Sequence, residues 1–191
     1  MDSDQLLLKT LSNLGIPALN AMQETALPAI QNHPNVIVLA PTGSGKTLAF
    51  LLPVLSRLQA GAPGVQCLIL SPTRELAIQV AEALQSYAKN LPGFHVLPIY
   101  GGQSYTIQLK QLARGAHVIV GTPGRVMDHL ERKTLNLDNL KTMVLDEADE
   151  MLRMGFIDDV EWILERTPEQ HQTALFSATM PEQIRRVAQK Y

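Results

Sequence analysis

Six short apolar runs alternate with helical patterns along this chain, and no other feature limits its fold so tightly. The runs are VIVLA (36–40), QCLILS (66–71), HVLPIY (95–100), HVIVG (117–121), TMVLD (142–146) and TALFS (173–177). Each is rich in Val, Ile or Leu without polar alternation, the pattern of strands covered on both faces. Between them, residues 46–60, 74–89, 103–113, 124–132, 156–166 and 181–190 read as helices. Within 74–89, Leu76, Val80, Ala83 and Leu84 share one side, while Glu75, Gln79, Glu82 and Gln85 lie largely elsewhere. Strands alternating with helices of this length predict an α/β fold, an open and mainly parallel sheet with helices on both faces. Pro53 falls inside 46–60 and is expected to bend that helix or break its hydrogen bonding. Residues 4–14 and 20–31 read as a helical appendage ahead of the first strand. No linker, repeat or low-complexity stretch divides the 191 residues, which predicts one domain.

The first apolar run leads into A-P-T-G-S-G-K-T (40–47), and a helix begins at Lys46. Strand, glycine-rich turn and helix in that order make a phosphate cradle. Gly43 and Gly45 let the backbone curl so that N–H groups of Thr42 to Lys46, Ser44 included, point at phosphate oxygens. Lys46 reaches toward the β- and γ-phosphates, the Thr47 hydroxyl takes a place on Mg²⁺, and the helix presents its positive end to the same anion. This predicts binding of ATP or ADP with Mg²⁺.

A phosphate loop also needs carboxylates, one to hold the metal and another to manage water. Asp146 ends the TMVL run at the position where Mg²⁺-holding acids of such folds emerge, and Glu147 beside it can polarise the attacking water. The alternative is an acidic helix start in which Glu147, Asp149 and Glu150 only complement the helix dipole.

Asp146 to Asp149 spell D-E-A-D, and PTREL (72–76), Gly101–Gly102, TPGR (122–125) and SAT (177–179) accompany it. In this order, across the whole chain, they resemble the DEAD-box ATP-dependent RNA helicases of superfamily two, specifically their N-terminal RecA-like P-loop domain. LDEADEMLRMGF and HQTALFSATMPEQIRR look most like the bacterial cold-shock and ribosome-assembly branch.

The resemblance implies several residue roles. Lys46, Asp146 and Glu147 would be catalytic. Ser177 and Thr179 would hydrogen-bond with Asp149 and couple the ATP site to the RNA-competent state, although the same hydroxyls could instead cap the helix starting near Pro181. RNA backbone contacts would fall to Pro72, Thr73 and Arg74, to Gly101 and Gly102, and to Thr122, Pro123, Gly124 and Arg125. The two arginines offer forked donors to phosphate and the glycines permit close approach, so little base specificity should follow. Residues 1–33 would be the adenine-recognition appendage. There GIPALNAMQ (15–23) keeps Gly15 and Gln23, whose amide could read the adenine edge, but Ile16 and Leu6 stand where aromatics are expected. Leu19 and Asn20 likewise replace Pro and Thr, so adenine preference should survive in weakened form.

No H-R-x-G-R pattern occurs, and the C-terminal RecA-like domain that would carry the finger arginines is expected to be absent. Such an arginine contributes roughly 10³–10⁵ in rate in related enzymes, so the isolated chain is expected to bind nucleotide but hydrolyse it poorly. A DNA-directed translocase and a binding module that never turns over remain the alternatives. A net charge of −2 and a pI near 6.2 advertise no basic footprint, but helix N-termini and backbone N–H groups bind phosphate without one. No apolar run reaches the roughly 18 residues of a membrane span, and the acidic N-terminus does not read as a secretory signal. A cytoplasmic monomer is the expectation. The single Cys67, within VQCLIL, reads as a small hydrophobe.

Overall fold

In the computed structural model, residues 19–41, 46–90 and 93–191 are described, without the side chains at 46–48, 52 and 90. In chain order the elements are α1 (Ala21–Asn32), β1 (Asn35–Leu39), α2 (Lys46–Arg57), β2 (Cys67–Leu70), α3 (Arg74–Tyr87), β3 (Val96–Ile99), α4 (Tyr105–Arg114), β4 (Val118–Gly121), α5 (Pro123–Glu131), β5 (Thr142–Leu145), α6 (Ala148–Arg153), α7 (Ile157–Leu164), β6 (Gln172–Ser177) and α8 (Glu182–Lys190). The expected helix at 4–14 lies outside the described residues.

All six predicted strands form one sheet, ordered β1-β6-β5-β2-β4-β3, and every pairing is parallel. Alternate strand residues feed two cores. Leu68, Leu70, Ile119, Met143, Leu145 and Leu175 meet Val126 of α5, Met151 of α6, Val160 and Ile163 of α7, and Ile184 and Val187 of α8. On the other face Ile69, Val118, Val120, Val144 and Phe176 meet Ile30 of α1, Phe50 and Val54 of α2, and Val80 and Leu84 of α3. Three layers result because parallel strands joined by helical crossovers must be covered on both sides.

Central strands β2, β4 and β5 are buried at every position, as their uninterrupted apolar runs require. The edge strands differ. On β1 the apolar Ile37 and Leu39 are 50% and 59% exposed, although the run reads like a central strand. At the other edge β3 carries Pro98, which lacks an N–H and is tolerated where only one neighbour pairs. The helix through Pro53 continues from Lys46 to Arg57, with Pro53 O accepting the Ser56 hydroxyl at 2.8 Å. The buried stripe of α3 is Ala77, Val80, Ala81 and Leu84. Leu76 and Ala83 are only half-buried, so the face turns by one position from the expected one and uses alanines for close packing on the sheet. One long acidic stretch also divides in two: Gly155 at φ 84° separates six-residue α6 from α7.

Candidate functional site

The hydrogen-bond ladder runs one residue past the strands and aligns their C-terminal ends in a row. Ala40 N donates to Ser177 O at 3.0 Å, Asp146 N to Leu70 O at 2.9 Å, Ser71 N to Gly121 O at 2.9 Å and Thr122 N to Ile99 O at 3.0 Å. Each predicted motif begins at one of these ends. Chain order interleaves them, but the sheet order sorts them. The segment leading to the phosphate loop, then SAT, then D-E-A-D follow neighbouring β1, β6 and β5; PTREL, TPGR and the Gly pair follow neighbouring β2, β4 and β3.

In the first half, Thr42, Gly43, Ser44 and Gly45 lie outside the described residues, and of Lys46 and Thr47 only the helical backbone is described. That helix is anchored by Phe50, whose ring centroid lies 4.8 Å from that of Phe176 on β6, with both residues fully buried. An aromatic pair of this kind contributes about 0.5–1.5 kcal/mol beyond its buried area. It also ties the helix after the phosphate loop to the strand that ends in SAT. Asp146 is fully buried at the end of β5. Glu147 follows with φ 51° and ψ 55°, a left-handed conformation that costs a non-glycine residue about 1–2 kcal/mol. This turn takes the chain from strand to helix in two residues, Asp146 and Glu147, and keeps both at the C-terminal end of β5. A hard cation that takes oxygen ligands fits a carboxylate so placed, since Mg²⁺ sites commonly combine one or two carboxylates with substrate phosphates.

Gln23 is buried at the start of α1 in a capping box: Gln23 Oε1 accepts Asn20 N–H at 2.9 Å, and Asn20 Oδ1 accepts Gln23 N–H at 2.9 Å. The sequence reading missed this pairing, although N-x-x-Q ahead of an apolar helix signals it. The amide expected to read adenine thus already holds the helix start in place through its oxygen.

Asp149 joins the ends of β5 and β6. Its Oδ2 accepts the Thr179 hydroxyl at 2.9 Å and Thr179 N–H at 3.1 Å, and its Oδ1 accepts Glu150 N–H at 3.0 Å. Asp149 N donates to Ser177 Oγ at 3.2 Å, and that hydroxyl donates to Thr179 O at 2.6 Å. Burial pushes the Asp149 carboxyl upward, but the Thr179 and Ser177 side chains and the backbone donors outweigh it and hold it below its ordinary value. Neither hydroxyl caps α8, which starts after Pro181 without a side-chain cap.

In the second half, Pro72 is buried and the Thr73 hydroxyl caps α3 by accepting Leu76 N–H at 3.1 Å. Arg74 is exposed, 5.2 Å over the Tyr100 ring, and lies beside Gly102, whose φ is 89°. Pro123 fills the first turn of α5, while the Thr122 hydroxyl makes no capping bond. A Cβ at Gly101 or Gly124 would meet no protein atom within 4 Å, so the surface is open where a ligand backbone could approach. Arg125 lies 4.0 Å over the Tyr105 ring, and its Nη1 donates to Gln103 O at 2.9 Å and Gln108 Oε1 at 3.0 Å.

Two residues escaped the sequence reading here. Gln108 is fully buried on α4, where a polar residue on a mostly polar helix reads as solvent-facing. Gly121 ends β4 against Val126 Cγ2, 2.3 Å from where its Cβ would stand; a glycine closing an apolar run was its only signal.

An open parallel sheet with a phosphate-loop segment after its first strand and acids after a central one defines a RecA-like P-loop domain. The chain belongs to the DEAD/DEAH box helicase family, whose model matches residues 20–187. It is 54% identical over 185 residues to the ATP-dependent RNA helicase DeaD of Buchnera aphidicola subsp. Schizaphis graminum, covering 97% of this chain and 31% of that one. To DeaD of Escherichia coli K12 it is 52% identical over 185 residues, covering 97% and 29%. The bacterial branch suggested by the sequence agrees with these relatives. A crystal structure of a DEAD box protein from the hyperthermophile Methanococcus jannaschii superposes with a TM-score of 0.91 at 44% identity, covering 96% of this chain and 50% of that one. Saccharomyces cerevisiae dbp5, solved with nup159, gle1, IP6 and ADP, gives 0.84 at 34% identity, covering 97% and 49%. The chain thus spans about 30% of the length of these curated relatives.

Proposed function

We propose that residues 1–191 are the N-terminal RecA-like, ATP-binding half of an ATP-dependent RNA helicase, in which Mg·ATP binding and hydrolysis drive remodelling of RNA held by its backbone. The observation that carries this reading is the sorting of motifs along the sheet edge, nucleotide residues over β1, β6 and β5 and RNA residues over β2, β4 and β3. In this reading residues 1–33 are the adenine-recognition appendage. Residues Thr42 to Lys46 cradle the phosphates with backbone N–H groups, and Lys46 neutralises their charge. Thr47 and Asp146 would hold Mg²⁺, partly through water; once bound it offsets charge on the phosphate oxygens. Glu147 orients and deprotonates the attacking water. Asp149 carries the state of this half to the strand end at Ser177–Thr179, two neighbouring loops tied by direct hydrogen bonds. Arg74 and Arg125 take RNA phosphates, and Gly101 and Gly124 leave room for the strand.

Efficient hydrolysis needs finger arginines from a second RecA-like domain, so the 191-residue chain alone should bind nucleotide and turn over slowly. Among the described residues no helix is long and apolar enough to cross a membrane, and a cytoplasmic monomer fits the reading. The test is steady-state Mg·ATP hydrolysis with and without single-stranded RNA, using ADP binding to establish that the site is formed. ADP binding with near-background turnover supports the proposal, as does RNA-stimulated turnover once a second domain is attached. Strong RNA stimulation of the chain by itself would refute the assignment of missing arginines, and absence of ADP binding would refute the nucleotide site.

A further inference from the structure

Gln108 has no role in any motif, yet it sits at the centre of the RNA half. It is fully buried, and its carboxamide makes four hydrogen bonds. Nε2 donates to Tyr100 O at 3.0 Å and to Gln103 Oε1 at 2.9 Å. Oε1 accepts from Arg125 Nη1 at 3.0 Å and from His129 Nε2 at 2.7 Å. These partners fix which end is which, because a backbone carbonyl only accepts and a guanidinium only donates. They also fix His129: its Nε2 carries the proton toward Gln108, and Nδ1 faces the Thr134 hydroxyl at 2.7 Å. Burial, Arg125 and Arg132 depress the basicity of this imidazole while Asp128 opposes them, so it serves as a neutral strut.

One side chain therefore joins the residue preceding Gly101–Gly102 to the arginine of TPGR. Two loops that follow different strands, β3 and β4, are locked to a common buried point on α4. Arg125 is held from three directions, by Gln103 O, Gln108 Oε1 and the Tyr105 face, and among the described residues its hydrogen bonds to protein use Nη1. Nε and Nη2 remain to engage a phosphate. A guanidinium that approaches RNA already oriented loses less entropy on binding than one that must be ordered.

We infer that Gln108 is a positioning residue for RNA binding, which sets the Arg125 guanidinium and the Gly101–Gly102 turn in the register that a sugar-phosphate backbone requires. The inference rests on the reading of this half as the RNA face. Gln108 itself touches no RNA in this account and acts through Arg125.

The test is fluorescence anisotropy of a labelled oligouridylate with the 191-residue chain at several salt concentrations, comparing Gln108→Leu, Arg125→Gln and the double variant. Each single change should weaken binding about 3- to 10-fold and flatten the log K against log salt plot by about 0.7, the value of one ionic contact to a single strand. Gln108→Leu changes no charge, so a flatter slope can only arise through a displaced cation. The double variant should bind within about twofold of Arg125→Gln, while ADP affinity stays unchanged throughout. Weaker binding with an unchanged slope, or multiplying effects in the double variant, would overturn the positioning role; so would unaltered affinity in Gln108→Leu. If Gln108→Leu melts below the assay temperature, Gln108→Met carries the comparison, and failure of both to fold would reduce Gln108 to a purely structural residue. If Arg125→Gln leaves RNA affinity unchanged, or the unsubstituted chain does not bind at low salt, the RNA-face reading itself fails.

Discussion

Replacing Thr179 by Val removes one hydroxyl from the link between Asp149 and the end of β6 while keeping the side-chain shape. The lost bond spans 2.9 Å to Asp149 Oδ2. A hydrogen bond to a charged group contributes about 1.5–3 kcal/mol when sheltered. Here Asp149 is buried but Thr179 is exposed, and the carboxylate keeps backbone donors at Thr179 and Glu150. Water can replace part of the loss, so the expected destabilisation is about 1 kcal/mol, or about 2–4 °C in Tm for a domain of this size. The pH dependence makes the test sharper. The folded carboxyl of Asp149 lies below its ordinary value, so its contribution is fully present above the unfolded carboxylate pKa of about 3.9 and fades as pH falls through the lower folded value. Urea unfolding should therefore separate the two proteins at pH 7 and bring them together at the most acid pH at which both fold. Equal midpoints at pH 7, or a gap that persists unchanged in acid, would refute the assignment of this bond to the ionised carboxylate.

Three further outcomes are expected. Burial pushes the Cys67 thiol well above its usual range despite the opposing influence of Arg57, so a thiol reagent should modify it only as fast as the protein unfolds; rapid labelling of native protein would contradict its placement. Gly121→Ala should destabilise by about 1–3 kcal/mol because its Cβ would fall 2.3 Å from Val126 Cγ2, whereas Gly124→Ala should melt no lower than the parent yet bind RNA more weakly, as paired melting and anisotropy measurements would show. His129 has its pKa lowered by burial first and then by Arg125, so stability should fall as pH drops from about 6.5 toward that lower folded value and level off below it; a His129→Gln variant showing the same slope would assign the effect elsewhere.

The sequence was most readable where local chemistry decides. Glycines, a lysine and acids at strand ends announce themselves by position, and β2, β4 and β5 are mostly apolar and buried throughout because both of their faces are covered. Lateral order in the sheet was not readable. Nothing in VIVLA distinguishes an edge from a centre, so the exposure of Ile37 and Leu39 follows only from the sheet order, in which β1 pairs with β6 alone among the described strands. The one-position rotation of α3 escaped because alanines at 77 and 81 carry little hydrophobic weight in a pattern, although close helix-on-sheet contact favours them. Gln108 escaped for the opposite reason: its polarity argued for solvent, and only the convergence of four partners from other segments explains its burial. Of the phosphate loop, easiest to recognise in the sequence, residues 42–45 lie outside the described residues, and only Ala40, Pro41 and the start of the helix are described.

The pairing of β1 also has a consequence for how the chain matures on the ribosome. Asn35 and Thr173, which meet in that pairing, are 138 residues apart. Strands β2, β4, β5 and β3 can associate once Leu145 has emerged, but β1, the first of the described strands to be synthesised, has no described strand beside it until β6 is made. Closing so long a loop is slow compared with local contacts. The first strand therefore waits longest, with two apolar side chains uncovered, and the half of the domain assigned to nucleotide is the last to be assembled.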